Sequence, residues 1–317
     1  MQHRIVFLDR GVFPFDLKRP GFSHEWIEHP TTSGDAVVER LKGATIAITN
    51  RVRLGRAEFE KLPSLKMIGV AATGYDHIDI DACRTFGIVV SNLRGWCDKS
   101  VSEHVFALAL ALRRNLSEQS RVARDGTWQR SATGSLLCIQ PSKDLFGATI
   151  GIVGFGNIGR RVAALADAFG MHLLVADRKG SSNLRSGRIE FSLALQRSDI
   201  FSLHCPLNAE TRGLIGAGEL RCMKHDAILI NCARGELVDN LALSVALSSG
   251  VIGGAGLDGL EMEPPSAGNP LLNSRHPNLT ITPHVAWASE QAIEEFRQQL
   301  VHNLEAFVGG APRNVVV

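Results

Sequence analysis

The sequence has little of what would send a chain to a membrane, a nucleic acid or a disulfide scaffold. Its longest uninterrupted apolar run is Val105–Leu112, VFALALAL, well short of the roughly 18–20 residues that a membrane span needs. The N-terminal MQHRIVFLDRG meets charge at Asp9 and Arg10 before a signal-peptide core could form. Net charge is only +2, from 34 Lys and Arg against 32 Asp and Glu, so neither nucleic acid nor an anionic membrane surface is an expected partner. Six cysteines (Cys83, Cys97, Cys138, Cys205, Cys222 and Cys232) lack CxxC or CxH spacing. That excludes a zinc or disulfide framework and suits reduced thiols in the cytoplasm, the expected compartment. Internal repeats and low-complexity tracts are also missing.

What is present is an α/β alternation. A chain of 317 residues, 44% hydrophobic and 21% charged, is expected to form two soluble globular domains. Arg4–Leu8, Thr45–Thr49, Lys66–Ala71 and Ile88–Ser91 read as buried strands bounded by turn formers, as parallel strands tend to be. A helical pattern follows over Ser100–Arg124, with Val101, Val105, Leu108 and Leu112 on one face, and then a loop over Gly126–Asp144. A second strand series comprises Thr149–Val153, Leu173–Ala176, Ile200–His204, Ala227–Asn231, Gly254–Asp258 and Leu279–Thr282. Ser289–Phe307 reads as a last helix, with Ala292, Phe296, Leu300 and Leu304 spaced by four, and is expected to return to the first domain. The expectation is thus two doubly wound parallel-sheet domains, Rossmann- or flavodoxin-like, with a cleft between them. Residues 1–98 plus 288–317 would form one, residues 99–287 the other.

The most specific local signal lies in residues 148–177. A hydrophobic strand runs into Gly154-Phe-Gly156-Asn157-Ile158-Gly159, a helix follows, and a second strand ends at Asp177. Gly154 permits the tight turn, Gly156 lets a pyrophosphate approach the backbone, and Gly159 lets helix and strand pack closely. A bare GxGxxG is weak, but strand, helix, second strand and terminal acid in order confirm a dinucleotide site. Asp177 stands where a carboxylate accepts ribose hydroxyls and repels a 2′-phosphate, so NAD is favoured over NADP, with Arg178 and Lys179 weakening the preference.

Three later strand ends carry groups for chemistry. Arg234 follows the ILIN strand in NCARGELVD; Asp258, Glu261 and Glu263 follow the next strand in GLDGLEMEPP; His284 and Trp287 follow the last in TPHVAW. Each alone reads as an ion-paired arginine, a solvated acidic loop or a structural histidine. Together they supply what reduction of a 2-keto acid requires: a cation for the carboxylate, a proton donor, and an acid to keep that donor charged beside a hydride source.

This ordered set resembles the D-isomer-specific 2-hydroxyacid dehydrogenase family, and the resemblance spans nearly the whole chain. It implies that Arg234, Glu263 and His284 are catalytic and that Asp258 contacts the nicotinamide amide. It also implies that Cys205 lines the adenosine side of the cofactor, and that Cys232, Ala233, Arg234 and His284 line its nicotinamide side. By the same resemblance, Thr73 and Gly74 of the VAATGYD loop hold the substrate carboxylate with Arg234, His284 delivers the proton to the substrate oxygen, and Trp287 shapes a pocket for a short substrate. Asn92–Trp96, Ser100–His104 and His284–Trp287 are similar to the glycerate dehydrogenase and hydroxypyruvate (glyoxylate) reductase branch. A D-lactate or other short-chain 2-keto acid reductase is the alternative substrate class, and an NAD-sensing corepressor-like module the alternative of another kind. The resemblance further implies a homodimer through the Ser100 helix and the loop around Trp128 and residues 136–139.

Overall fold

The computed structural model describes residues 2–136, 141–273 and 276–317. Among them the chain runs β1 (His3–Phe7), β2 (His24–Glu28), α1 (Val37–Leu41), β3 (Ile46–Thr49), α2 (Arg56–Phe59), β4 (Met67–Val70), α3 (Ile80–Phe86) and β5 (Val89–Ser91). It continues through α4 (Asp98–Arg113), α5 (Leu116–Arg124), β6 (Thr149–Val153), α6 (Asn157–Ala168), β7 (His172–Ala176), α7 (Phe191–Arg197) and β8 (Ile200–Leu203). The remaining elements are α8 (Ala217–Cys222), β9 (Ile228–Asn231), α9 (Asn240–Ser248), β10 (Gly254–Asp258), β11 (Leu279–Thr282) and α10 (Glu290–Val308). They form two units: residues up to Cys97 together with Ser289–Val317, and Asp98–Ala288.

The first unit holds a parallel sheet of order β2-β1-β3-β4-β5. Strands β3 and β4 are buried on both faces, as the largely apolar IAIT and MIGV runs require. Ser289 caps α10 by accepting the Ala292 amide at 3.1 Å. The helix then lays Ala292, Phe296, Leu300 and Leu304 inward. Phe296 is fully buried among Phe13, Phe15 and Trp96, whose ring centroids lie 4.6, 5.7 and 5.3 Å away.

The second unit is also all parallel, with strand order β11-β10-β9-β8-β6-β7. Its order reverses at β6, which pairs with β7 on one side and β8 on the other. In open α/β sheets that switch point opens the ligand crevice. Val105, Leu108 and Leu112 of α4 share one core with Val162 and Ala166 of α6. Leu195, Leu220, Leu243 and Leu247 of α7, α8 and α9 share another.

Two local features differ from the sequence expectation. Strand β2 has no counterpart among the expected strands. As an edge strand it mixes charged with apolar side chains (HEWIE) and has no fully buried residue, so it lacks the apolar run by which the others are read. The helix expected over Ser100–Arg124 is two helices, broken at Asn115, whose φ of 53° is left-handed. Asparagine is one of the few side chains that tolerate this conformation. Of the surface expected for association, Leu137, Cys138 and Ile139 lie outside the described residues.

Candidate active site

The dinucleotide turn is built as its glycines demand. Gly154 has φ +86°, and a Cβ there would fall 2.4 Å from the His204 carbonyl oxygen and 2.5 Å from the Cys205 amide nitrogen. The turn leaving β6 is thus pressed against the end of β8. A Cβ on Gly159 would meet the Gly154 carbonyl oxygen at 2.2 Å, so α6 can approach its strand only without a side chain. Gly156 differs: nothing lies within 4 Å of its would-be Cβ. It is the N-cap of the twelve-residue α6. Open space over a helix N-terminus with glycine backbone suits a pyrophosphate, so these residues fit the dinucleotide. Asn157 and Ile158 begin the helix beside it.

Asp177 sits at the end of β7 as expected, but its carboxylate is already engaged. Oδ1 accepts the Arg178 amide at 2.7 Å and the Arg185 guanidinium through Nε at 3.0 Å and Nη2 at 2.6 Å. Oδ2 accepts the Arg185 amide at 2.7 Å. These donors hold the acid well below the usual carboxylate range, the guanidinium contributing most. The residue is only 2% exposed. Arg185 thus meets the charge by which Asp177 is expected to repel a 2′-phosphate. Nothing in the fingerprint points eight residues ahead to Arg185; only the folded loop does.

The chemistry-bearing groups come from three adjacent strands in one register: Leu257 pairs with Asn231, and Asp258 with Thr282. After β9, the Asn231 side chain donates to the Arg234 carbonyl at 2.7 Å and accepts the Ala233 amide at 3.1 Å. This bridge closes the Cys232–Ala233–Arg234 loop. Gly235 packs so tightly on the next loop that a Cβ would lie 2.0 Å from the Leu260 carbonyl carbon and oxygen.

After β11 the backbone turns sharply, and His284 takes a left-handed φ of 54°. For a non-glycine residue this costs about 1–3 kcal/mol and persists only where neighbours impose it. The neighbours are explicit. Asp258, buried at the end of β10, accepts the Thr282 hydroxyl and the Val285 amide on Oδ1 at 2.7 and 2.8 Å. Its Oδ2 accepts the Ala286 amide at 2.8 Å. Trp287 Nε1 donates to the His284 carbonyl at 2.9 Å. The imidazole thereby meets Glu263, with Nδ1 at 2.8 and 3.0 Å from the two carboxylate oxygens. A carboxylate only accepts hydrogen bonds, so Nδ1 carries a proton. Gly259, at φ +117°, leaves room for the pair: a Cβ there would lie 2.3 Å from Glu263 Oε1.

Desolvation pushes the Cys205 thiol up to about 11, and burial with the nearby Asp258 charge pushes Cys232 well above its ordinary range. Both remain protonated thiols at neutral pH. Among the described residues no group of three or more His, Cys, Asp or Glu is placed to hold a metal ion.

In the first unit the expected Thr73–Gly74 loop leaves the carboxyl end of β4. Asn92 donates to the Thr73 carbonyl at 2.7 Å and Trp96 Nε1 to its hydroxyl at 3.0 Å. Asn92 and Trp96, read in sequence only as marks of a subfamily, are the braces of this loop. Nearby, buried Asp9 accepts the Asn50 and Arg51 amides at 2.8 and 2.7 Å, and desolvation raises it above the ordinary carboxylate range. Its role was not legible in sequence, because the strand β3 that brings it those amides lies about forty residues away.

A parallel sheet that opens on a glycine turn and ends on an acid-backed imidazole defines a dinucleotide-dependent oxidoreductase. Residues 106–286 match the family model for the NAD binding domain of D-isomer specific 2-hydroxyacid dehydrogenases. A glycerate dehydrogenase of Methylorubrum extorquens is 43% identical, over 100% of this chain and 99% of its own. A D-lactate dehydrogenase from Aquifex aeolicus, solved with NAD and lactic acid, superposes with a TM-score of 0.81 at 28% identity, covering 97% of this chain and 96% of that one. An NADPH-dependent glyoxylate/hydroxypyruvate reductase from Sinorhizobium meliloti, solved with NADP and malonate, gives 0.84 at 27% identity, covering 100% and 97%. The chain belongs to the D-isomer-specific 2-hydroxyacid dehydrogenase family, with an NAD-binding domain and oxidoreductase chemistry at the CH–OH group.

Because Gly235 meets backbone that cannot yield, Gly235→Ala is expected to cost about 1–3 kcal/mol through overpacking and to displace Arg234. A thermal melt and a turnover assay check this. Wild-type values in both would contradict the packing.

Proposed function

We propose that the chain reduces a short 2-keto acid, hydroxypyruvate or glyoxylate, to the D-2-hydroxy acid at the expense of NADH, with D-lactate chemistry as the nearest alternative. The observation that carries the reading is the Glu263–His284 pair at 2.8 Å, held on a strained turn in the sheet that bears the dinucleotide fingerprint. The relatives' substrates agree with it, since one is a glycerate dehydrogenase and another reduces glyoxylate and hydroxypyruvate.

The Gly154–Gly159 turn and the α6 N-terminus would hold the pyrophosphate, with Cys205 on the adenosine side and Cys232–Arg234 on the nicotinamide side. When bound, the cofactor supplies the hydride. Arg234 draws the substrate carboxylate and polarises the adjacent keto group. His284 Nε2 donates a proton to the developing alkoxide, while Glu263 keeps Nδ1 protonated and balances the ring's charge. In the oxidation direction, neutral His284 takes the hydroxyl proton. Trp287, tied to the His284 carbonyl, sets a short pocket that suits a two- or three-carbon acid. Asp258 retains one lone-pair site on Oδ2 for a nicotinamide carboxamide.

His284→Ala should lower turnover about 10²–10⁴-fold while NADH affinity, followed by fluorescence quenching, stays near wild type. Loss of NADH binding with retained turnover per bound complex would overturn the assignment. A panel of hydroxypyruvate, glyoxylate and pyruvate then ranks the substrates. Arg185 makes a second expectation. Removing it as Arg185→Gln leaves Asp177 uncompensated, so the ratio of kcat/KM for NADH over NADPH should rise roughly tenfold, the worth of one charge-assisted hydrogen bond. An unchanged ratio would separate Arg185 from cofactor choice.

We also propose a cytoplasmic homodimer. The five described cysteines are thiols outside any disulfide, as a reducing compartment keeps them. Leu116 and Trp128, on and just after α5, are 52% and 48% exposed, apolar area that a second copy would cover. Light scattering on the purified chain is expected to give twice the 34.3 kDa chain mass; a monomer mass would reject the pairing.

A further inference from the structure

We propose that His104, on α4, is a positioning residue for the reaction: its Nε2–H fixes the Thr282–Asp258 hydrogen-bond chain that holds His284 in its left-handed turn. This inference rests on the reading of His284 as the proton donor.

The geometry sets the direction of every proton in the chain. His104 Nε2 lies 2.9 Å from Thr282 Oγ1, and Thr282 Oγ1 lies 2.7 Å from Asp258 Oδ1. A hydroxyl has one proton to donate, and an ionised carboxylate can only accept. The nearest acceptor for that proton is the carboxylate; the Leu257 carbonyl is more distant at 3.4 Å. Nε2 of His104 must therefore donate to the hydroxyl oxygen. If Nε2 accepted instead, the hydroxyl would surrender its proton to the ring. Two oxygen lone pairs would then face each other at 2.7 Å between Thr282 and Asp258.

Asp258 delivers the effect to the site. Besides Thr282 it accepts the Val285 and Ala286 amides at 2.8 Å each. Those amides follow His284 directly, and the His284 amide itself donates to the Thr282 carbonyl at 2.9 Å. A strained turn keeps its shape only where its surroundings impose it. Here the imposing groups are Asp258 on one side and Glu263 on the other, and the first is oriented by His104. Hydrogen bonds linked in this way polarise one another, so losing the terminal donor weakens the links beyond it. The proposal concerns the donor, not the bulk, of this side chain.

The test is a set of substitutions read by kcat, KM, NADH affinity and thermal melting. Glutamine places an amide N–H near the Nε2 position and leucine places none. His104→Leu is expected to lower kcat by roughly 10- to 100-fold, as a small misplacement of a catalytic group does, with the NADH dissociation constant within about twofold. His104→Gln should restore kcat to within about threefold of wild type. Thr282→Val should match His104→Leu, and the double variant should lose no more than either single one, because both break the same chain. Equal turnover in His104→Leu and His104→Gln, or additive losses in the double variant, would overturn the proposal. If His104→Leu does not fold, Thr282→Ser against Thr282→Val decides: retained turnover only in serine supports the chain, and equal turnover refutes it. His284→Ala separates the two readings. Full activity there sinks the underlying reaction scheme, whereas an inactive His284→Ala beside a fully active His104→Leu sinks only the role of His104.

Discussion

Parallel pairing of β9, β10 and β11 in a single register is the constraint on which the site depends. Parallel strands release their chains at the same edge of the sheet, so each loop that leaves them starts from the same line. Asn231, Asp258 and Thr282 end their strands side by side. Arg234, Glu263 and His284 are then only two to five residues further along their chains. Few degrees of freedom remain between the sheet and these three side chains, and those that remain are closed by hydrogen bonds at Asn231, Asp258 and Trp287.

The buried carboxylates show how such a site is kept rigid. An isolated charge taken from water is costly unless amides or cations replace its hydration. Asp258 is met by two amides and a hydroxyl, Asp177 by two amides and a guanidinium, and Asp9 by amides of the neighbouring strand end. In each case the acid organises a loop at the carboxyl edge of a sheet, so the charge serves geometry before it serves a ligand. Groups fixed in advance need no reorganisation when charge develops in the reaction, which is the physical basis of electrostatic preorganisation.

The glycine turn, the Arg, Glu and His motifs and most strands could be read directly, because apolar runs and fixed spacings are local properties. Strand β2 escaped because an edge strand has no need of a continuous apolar run. The break at Asn115 carried only one residue of signal, in the middle of an otherwise helical stretch. Arg185 and His104 could not have been found by spacing. The first reaches Asp177 across eight residues of irregular loop, and the second reaches Thr282 across a separation of 178.

Taken alone, the order of amino acids determined the alternation of strands and helices and the glycine turn of the dinucleotide fingerprint, which follow from short-range sterics and hydrophobic periodicity that neighbouring residues specify among themselves. Arg234, Glu263 and His284 were singled out by resemblance to a family. Tertiary structure alone decided which oxygen meets which proton: that Glu263 sits on Nδ1 of His284, that Arg185 occupies Asp177, and that His104 closes the chain through Thr282 to Asp258. Hydrogen bonds act over about 3 Å and depend on direction. Partners far apart in sequence can therefore be assigned only once the sheet has brought them together.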